Sequence, residues 1–413
     1  MAIVTRRIGL SLGADICWPQ CYEDILARMD LAIPHKRDTV RFEVKRLDIE
    51  PFHLRQPANY DLVIDRLTHW YHVSREWIKK AVLMDGVYVF NNPWSVQSME
   101  KQTTYCAMMK LGLPVPDTLL VPPKEYDELP DLAPTLERYA KLFDLPQVGE
   151  SLGYPMFMKP YDGGGWVGVS KIDNAEELTE AYDKSGKFVM HLQRGVVPYE
   201  KFVRCVGLGP QLRIIRYEPD APLHERYASD LDVVDDEAAQ VLEDTTLTIN
   251  AFFGWDFNSC ECLLRDNTWH PIDFANPCPD SQITSLHVHF PWVVLAKMRW
   301  SLFCAATKRP MRRNLDWGPY FAVAKKKLPF REKLRAYGDL ARKHFDHQRF
   351  AEFCDEHLSS LDAVAHEYFG TDRAKSAVRA KVEALFPEHE WDEFTEKFWG
   401  AVQTWREREG ASS

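Results

Sequence analysis

The sequence predicts a mixed α/β (α+β) fold that ends in a helical C-terminal region. Three observations lead to this class. Short strand-like runs alternate with a helical pattern through the first ninety residues, strand-like segments dominate from Gly153 to Asn276, and apolar residues recur at helical spacing after about Pro310. At roughly 100–200 residues per domain, a chain of 413 residues contains two or three domains. We expect three parts: an N-terminal α/β domain (1–94), a core (95–310) with a lid lobe at about 113–195, and a helical C-terminal region (311–413).

The N-terminal part reads as strands separated by one clear helix. Val40, Phe42 and Val44 alternate with charged residues, which is typical of a half-buried strand. The other expected elements are strands at Ile8–Leu12, Leu62–Ile64 and Val87–Phe90, and a helix at Val73–Met84.

The core is expected to open with a helix from about Ser95 to Lys110. Gly112, followed by Pro114 and Pro116, ends this helix. The proline-rich, acidic stretch 122–146 looks like an insertion.

The amino-acid composition argues against nucleic acid and membranes as binding partners. With 61 acidic and 51 basic residues the net charge is −10, which argues against sequence-independent binding to nucleic acid or to an anionic membrane surface. No apolar stretch reaches the roughly 18 residues of a membrane span, and no signal-peptide core is present. Nine cysteines, an odd number, favour reduced thiols and a cytoplasmic protein.

The first candidate motif is a lysine followed by glycines. Lys159 ends an apolar strand, and Gly163, Gly164 and Gly165 follow at once. Consecutive glycines let backbone N–H groups form a concave anion site, and a lysine adds a point charge for phosphate. A glycine-rich hairpin with a surface lysine would have the same pattern.

The second candidate motif is a strand, 188–193, that ends in Gln193. Glu200 follows seven residues later. A strand edge can bind an adenine through its backbone, and a nearby carboxylate can accept hydrogen bonds from ribose hydroxyls. An ordinary strand and a solvated glutamate fit the same residues.

The third candidate motif reads as a β-hairpin over 258–277. Glu261 and Asp273 are twelve residues apart, so a three-residue loop, 266–268, would place them directly opposite each other. Two adjacent carboxylates repel unless a cation lies between them, and Mg²⁺ shared with substrate phosphates would remove that repulsion. Two exposed acids on a hairpin remain the alternative.

In this order, the motifs resemble the ATP-grasp superfamily, in particular its glutathione synthetase and D-alanine–D-alanine ligase branch. The resemblance covers roughly residues 90–280 and implies an α/β pre-ATP-grasp domain before a two-lobed ATP-grasp core. It implies ATP with Mg²⁺, or Mn²⁺ in its place, as cofactors. The residues it assigns are Lys101, Lys159, Gly163, Gly164, Gly165, Gln193 and Glu200 for the nucleotide, Glu261, Asp273 and Asn276 for the metal, and Arg226 as a third phosphate cation.

The sequence departs from the family pattern near the reacting centre. Ser259 stands two residues before Glu261, where a D-alanine–D-alanine ligase would supply an arginine, and Arg213 or Arg216 is the expected substitute. The last motif is one residue longer than the family's, which weakens Asn276 as a ligand.

Two other sets of residues are better explained by packing. Cys260 and Cys262 share one strand face opposite Glu261, which favours core packing over metal binding. His287 and His289 are expected to share one face of a strand, where they are interpreted as structural residues, with lining of a substrate site as the alternative.

The resemblance implies an ADP-forming, ATP- and Mg-dependent ligase that joins a carboxylate to an amine or thiol through an acyl phosphate. Amino acids or peptides are the expected substrates, with neither nucleic acid nor membrane as partner. The alternatives are a non-catalytic or regulatory ATP-binding module and an ATP-dependent kinase of a small molecule.

Overall fold

The structure is a computed structural model that describes residues 2–35, 37–48, 50–67, 71–97, 101–162, 167–230 and 232–409. The strands within these residues are β1 Ile3–Ser11, β2 Ala32–His35, β3 Asp38–Arg46, β4 Leu62–Asp65, β5 Tyr88–Phe90, β6 Thr118–Val121, β7 Met156–Pro160, β8 Ser170–Ile172, β9 Met190–Arg194, β10 Lys201–Leu208, β11 Gln211–Arg216, β12 Phe257–Arg265 and β13 Thr268–Pro277. The α-helices are α1 Cys17–Met29, α2 His72–Asp85, α3 Pro93–Gln97, α4 Lys101–Leu111, α5 Leu132–Tyr139, α6 Leu145–Leu152, α7 Ala175–Ser185, α8 Asp236–Phe253, α9 Ile283–Leu286, α10 Phe290–Thr307, α11 Gly318–Ala324, α12 Phe330–Phe345, α13 His347–His357, α14 Leu361–Tyr368, α15 Asp372–Glu383 and α16 Trp391–Glu409. The predicted α/β class with a helical C-terminal region is confirmed.

The chain divides into two compact units. The first comprises Met1–Gln97, Val203–Ser259 and Pro277–Ser413, and the second comprises Ser98–Phe202 and Cys260–Asn276. The boundaries drawn from the sequence at 94/95 and 310/311 stay a prediction. Among the described helices, none is long and apolar enough to cross a membrane.

The first unit contains a five-stranded sheet of order β2-β3-β1-β4-β5. β1 runs parallel to β3 and β4, β4 runs parallel to β5, and β2 is antiparallel to β3. Leu62, Val63 and Ile64 are buried in the interior strand β4, as a continuous apolar run in a parallel sheet requires. Every strand expected in this part is present, and the expected helix is α2.

The second unit contains an antiparallel sheet of order β6-β9-β7-β8. On one face of this sheet Met156 and Met158 of β7 pack with Leu192 of β9 and with Leu178 of α7 in a buried apolar cluster. Because side chains alternate along a strand, Lys159 lies on the opposite face. A further four-stranded sheet has the order β11-β10-β12-β13.

Two local features differ from the sequence reading. Strands dominate the region from Gly153 to Asn276 as expected, but the region also contains α7 and the 18-residue helix α8, which were not anticipated. Asp235 caps α8 by accepting a hydrogen bond of 2.8 Å from the backbone N of Ala238, and an acidic cap followed by acidic first-turn residues is a recognisable start signal. His287 and His289 lie in a 3-10 helix and not on a strand.

Candidate functional site

Lys159 occupies a buried position on the sheet face opposite the apolar core of the second unit. The residue is 7% exposed, although lysine is rarely buried without partners. Its Nζ donates to Gln193 Oε1 at 2.8 Å and to the backbone oxygen of Ile272 at 3.3 Å. Both acceptors are neutral, so these hydrogen bonds hold the ammonium without neutralising its charge.

Lys101 provides a second buried cation in the same unit. It is the first residue of α4, is 5% exposed, and places Nζ 3.3 Å from Asp273 Oδ2. Its backbone N donates to the backbone oxygen of Tyr161, two residues after Lys159. The start of α4 is therefore fixed to the end of the strand that carries Lys159.

The hairpin β12–β13 supplies the two carboxylates. Its turn is Asp266 and Asn267, both at positive φ (49° and 55°), as expected for a two-residue type I′ turn. The predicted three-residue loop is therefore wrong, because β13 already begins at Thr268. In an unbroken ladder with this turn, Glu261 would face Ile272, and Asp273 would point to the other face.

The backbone of Ile272 and the side chain of Asp273 both contact the buried lysines. The backbone oxygen of Ile272 accepts hydrogen bonds from Tyr105 Oη at 3.1 Å and from Lys159 Nζ. Asp273 Oδ2 lies 3.3 Å from Lys101 Nζ. The charges of Asp273 and Glu261 both act on Lys159.

Burial is the largest cause of the pKa shifts of Lys159 and His191 in this cluster. Burial is the largest cause that lowers the pKa of Lys159 to about 8; Lys101 lowers it further, whereas Asp273 and Glu261 raise it. Burial, with the charges of Lys101 and Lys159, lowers the pKa of His191 to about 4. His191 Nε2 lies 3.1 Å from Gln102 Oε1.

Gln193 is buried beside Lys159, whereas Glu200 is exposed and contacts the hairpin turn. The Gln193 side chain is 2% exposed and contacts Lys159 and Thr118. Glu200 is exposed, and its Oε1 accepts from the backbone N of Asp266 at the hairpin turn. Gly163, Gly164 and Gly165 lie outside the described residues. The nucleotide roles of these residues stay predictions.

The three predicted arginines lie in the first unit. Arg213 Nε donates to His289 Nδ1 at 3.3 Å, and Arg226 Nε donates to the backbone oxygen of Ala221 at 3.1 Å. Arg216 is engaged by Asp230, with Nε 2.8 Å from Oδ2, and by Glu218. Their catalytic roles stay predictions.

Sequence reasoning missed a fourth arginine, Arg204 on β10. Its Nε donates to Ser259 Oγ at 3.1 Å, and its guanidinium lies 5.5 Å from the ring centroid of Tyr227. Arg204 thus contacts Ser259, and Ser259 occupies the position where the resemblance to D-alanine–D-alanine ligases predicts an arginine. Only the pairing of strands reveals this, because 55 residues separate Arg204 from Ser259.

The donor set on the hairpin suits a magnesium ion that is shared with a substrate. Among the described residues, no group of three or more His, Cys, Asp and Glu side chains is arranged to hold a metal. Glu261 and Asp273 offer hard carboxylate oxygens, and Asn276 on the same strand offers an amide oxygen. Mg²⁺ is commonly held by one or two carboxylates together with substrate phosphates, so these residues fit it.

Residues 109–198, which include Lys159 and Gln193, match the family model described as D-ala D-ala ligase C-terminus. The D-alanine–D-alanine ligase of Thermoanaerobacter sp. is 33% identical over 130 residues, which is 31% of this chain and 32% of that protein. The D-alanine–D-alanine ligase of Streptomyces griseus is 27% identical over 188 residues, which is 41% of this chain and 44% of that protein. The chain thus spans about a third to somewhat under half of these relatives.

Two solved structures are similar at low TM-scores. D-alanine–D-alanine ligase from Bacillus anthracis complexed with ATP gives a TM-score of 0.48 at 13% identity, covering 73% of this chain and 98% of that one. A RimK domain ATP-grasp protein from Sphaerobacter thermophilus gives 0.48 at 13% identity, covering 71% and 97%. The sequence matches confirm the predicted resemblance to D-alanine–D-alanine ligases over the matched segments.

Proposed function

We propose that this chain is an ATP- and Mg-dependent ligase that activates a carboxylate as an acyl phosphate and releases ADP and phosphate. The observation that carries the proposal is the convergence of two buried lysines and two carboxylates in one unit. Lys101 pairs with Asp273, and Lys159 lies in the combined field of Lys101, Asp273 and Glu261. These residues come from α4, β7, β12 and β13, and 172 positions separate Lys101 from Asp273.

The charge pattern suits phosphoryl transfer. Buried cations with fixed positions stabilise negative charge that develops on a transferred phosphoryl group, because they need not reorganise during the reaction. Mg²⁺ held by Glu261 and Asp273, with Asn276 as a third candidate ligand, would supply further positive charge against the phosphates. Lys101 and Lys159 would bind and orient the triphosphate beside it.

The substrate class follows from the relatives. Those with matching sequence are named as ligases of D-alanine, so we propose that an amino acid or a short peptide supplies the carboxylate and an amine is the nucleophile. Arg213, Arg216 and Arg226 remain the candidates for contacting the reacting groups, and Arg204 joins them. Consumption of ATP and the acidic composition fit a cytoplasmic enzyme.

ATP binding by the lysine cluster is tested with Lys159→Ala. Loss of a charged hydrogen bond to phosphate is worth about 1.5–3 kcal/mol, so the Kd for MgATP should rise roughly tenfold or more in calorimetric titration. Lys171→Ala is the matched control, because Lys171 is an exposed lysine of β8 that pairs with Asp173. A folded Lys159→Ala protein with the wild-type Kd would contradict the assignment.

The reaction is tested by ADP release against pools of amino acids and dipeptides. A substrate should stimulate release of ADP, and hydroxylamine should trap the acyl phosphate as a hydroxamate. Formation of AMP and pyrophosphate would refute the proposal. A stable phosphate ester would indicate the kinase alternative, and MgATP binding with no stimulation by any pool would indicate the binding module.

A further inference from the structure

A short chain of hydrogen bonds in the second unit ends on Lys159. The Thr118 hydroxyl donates to the backbone oxygen of Pro116 at 2.9 Å, Gln193 Nε2 donates to Thr118 Oγ1 at 3.1 Å, and Lys159 Nζ donates to Gln193 Oε1 at 2.8 Å. The strand register produces this alignment, because Thr118 of β6 is paired with Gln193 of β9.

The chain fixes the orientation of the Gln193 amide. The single hydroxyl proton of Thr118 is committed to Pro116, so the hydroxyl oxygen can only accept from Gln193. The amide nitrogen must therefore face Thr118, and the amide oxygen must face Lys159. With 2% of Gln193 exposed, both ends of the side chain are used inside the protein.

The neutral amide has an electrostatic consequence for Lys159. The charged groups that act on its ammonium are Lys101 from α4, Asp273 from β13 and Glu261 from β12. A carboxylate at position 193 would add a third acid in direct contact and would neutralise the ammonium. Glutamine supplies the same acceptor geometry and leaves the positive charge available for an anion.

We propose that Gln193 and Thr118 are positioning residues, which hold the Lys159 ammonium in one place through a neutral acceptor so that its charge can bind a nucleotide phosphate. By this inference the Gln193 side chain acts on the lysine and not on the nucleobase. This inference rests on the proposed function, because it takes ATP as the ligand of Lys159.

A double-mutant cycle on the Kd for MgATP tests the inference. Gln193→Met keeps the side-chain length and removes both hydrogen-bonding groups, so it should weaken MgATP binding about tenfold in the wild type. In the Lys159→Ala background the same change should alter Kd by less than about twofold, because its effect acts through the lysine. An equal effect in both backgrounds would overturn the inference.

Two further variants separate charge from geometry. Gln193→Glu keeps an acceptor for Lys159 and adds a negative charge, so it should weaken MgATP binding. Thr118→Val should weaken binding, and Thr118→Ser should restore it. Ser185→Ala is the control, since Ser185 is a buried hydroxyl of the same unit that donates to the backbone oxygen of Tyr182.

A comparison of ATP with inosine triphosphate, which lacks the exocyclic amine, tests the nucleobase role directly. The inference predicts that Gln193→Met weakens both nucleotides by the same factor. A change in the ratio of the two Kd values would overturn it. If the wild type fails to bind MgATP, the proposed function is wrong. If the wild type binds MgATP through Lys159 but Gln193→Met has the same effect on Kd in both backgrounds, only this inference is wrong.

Discussion

Replacing the buried Lys159 by methionine should change how the stability of the protein depends on pH. Lys159 has a pKa of about 8 in the folded protein and 10.5 as its ordinary value. The unfolded chain therefore binds the proton more tightly between these values, and the free energy of unfolding of the wild type rises with pH across that window. At 1.36 kcal/mol per pKa unit, the rise between pH 7 and pH 10 amounts to about 2–3 kcal/mol.

The assay is urea unfolding of wild type and Lys159→Met at pH 7, 8, 9 and 10. The variant also leaves Gln193 Oε1 and the Ile272 oxygen without their donor, which lowers its stability by an amount that does not depend on pH. The wild-type free energy of unfolding minus that of the variant should therefore increase by about 2–3 kcal/mol between pH 7 and pH 10. A difference that stays constant over this range would refute the view that Lys159 is held charged at a cost in stability. MgATP binding should change in the opposite sense and weaken above about pH 8.

Three further changes are predicted. Glu261→Gln and Asp273→Asn should each abolish Mg-dependent ADP release while the circular dichroism spectrum is retained, and full activity in either variant would remove that residue from the metal site. Gly338→Ala should lower the free energy of unfolding by roughly 1–3 kcal/mol, because the added Cβ would lie 2.1 Å from Asp244 Oδ1. Gly400→Ala, which meets nothing within 4 Å in helix α16, is its control and should be neutral or stabilising. Burial raises the pKa of Asp256 from 3.8 to about 6, so the free energy of unfolding of the wild type should fall by about 2 kcal/mol between pH 4 and pH 6. Urea unfolding at both pH values should show no such fall for Asp256→Asn.

Local patterns were sufficient for elements with a clear period or a clear stop. Helix α2 and strand β4 lie where the apolar spacing predicts them. The helix buries one apolar stripe, and the strand buries one continuous apolar run. Helix α8 was not among the expected elements; it contains Thr245, Thr246 and Thr248, which have low helix propensity and are buried by packing. In that case tertiary burial overrides residue preference.

The candidate site could be predicted only in part. Lys159, Glu261 and Asp273 were found in local motifs and Lys101 through the resemblance, and the structure brings the four residues together. The hairpin turn was misjudged although Asp266-Asn267 is a two-residue turn signal in its own right. The contacts of Gln193 with Lys159 and of Arg204 with Ser259 depend on strand register, which a single sequence does not encode locally.

The buried imidazole of His191 has a consequence for how acid acts on the proposed nucleotide site. Burial and the charges of Lys101 and Lys159 lower the pKa of His191 to about 4, and burial lowers the pKa of Lys159 to about 8. At pH values about one unit or more inside these two limits, His191 is largely neutral and Lys159 is largely charged. Under the proposed function, mild acid should therefore change the affinity for a triphosphate little through these two groups.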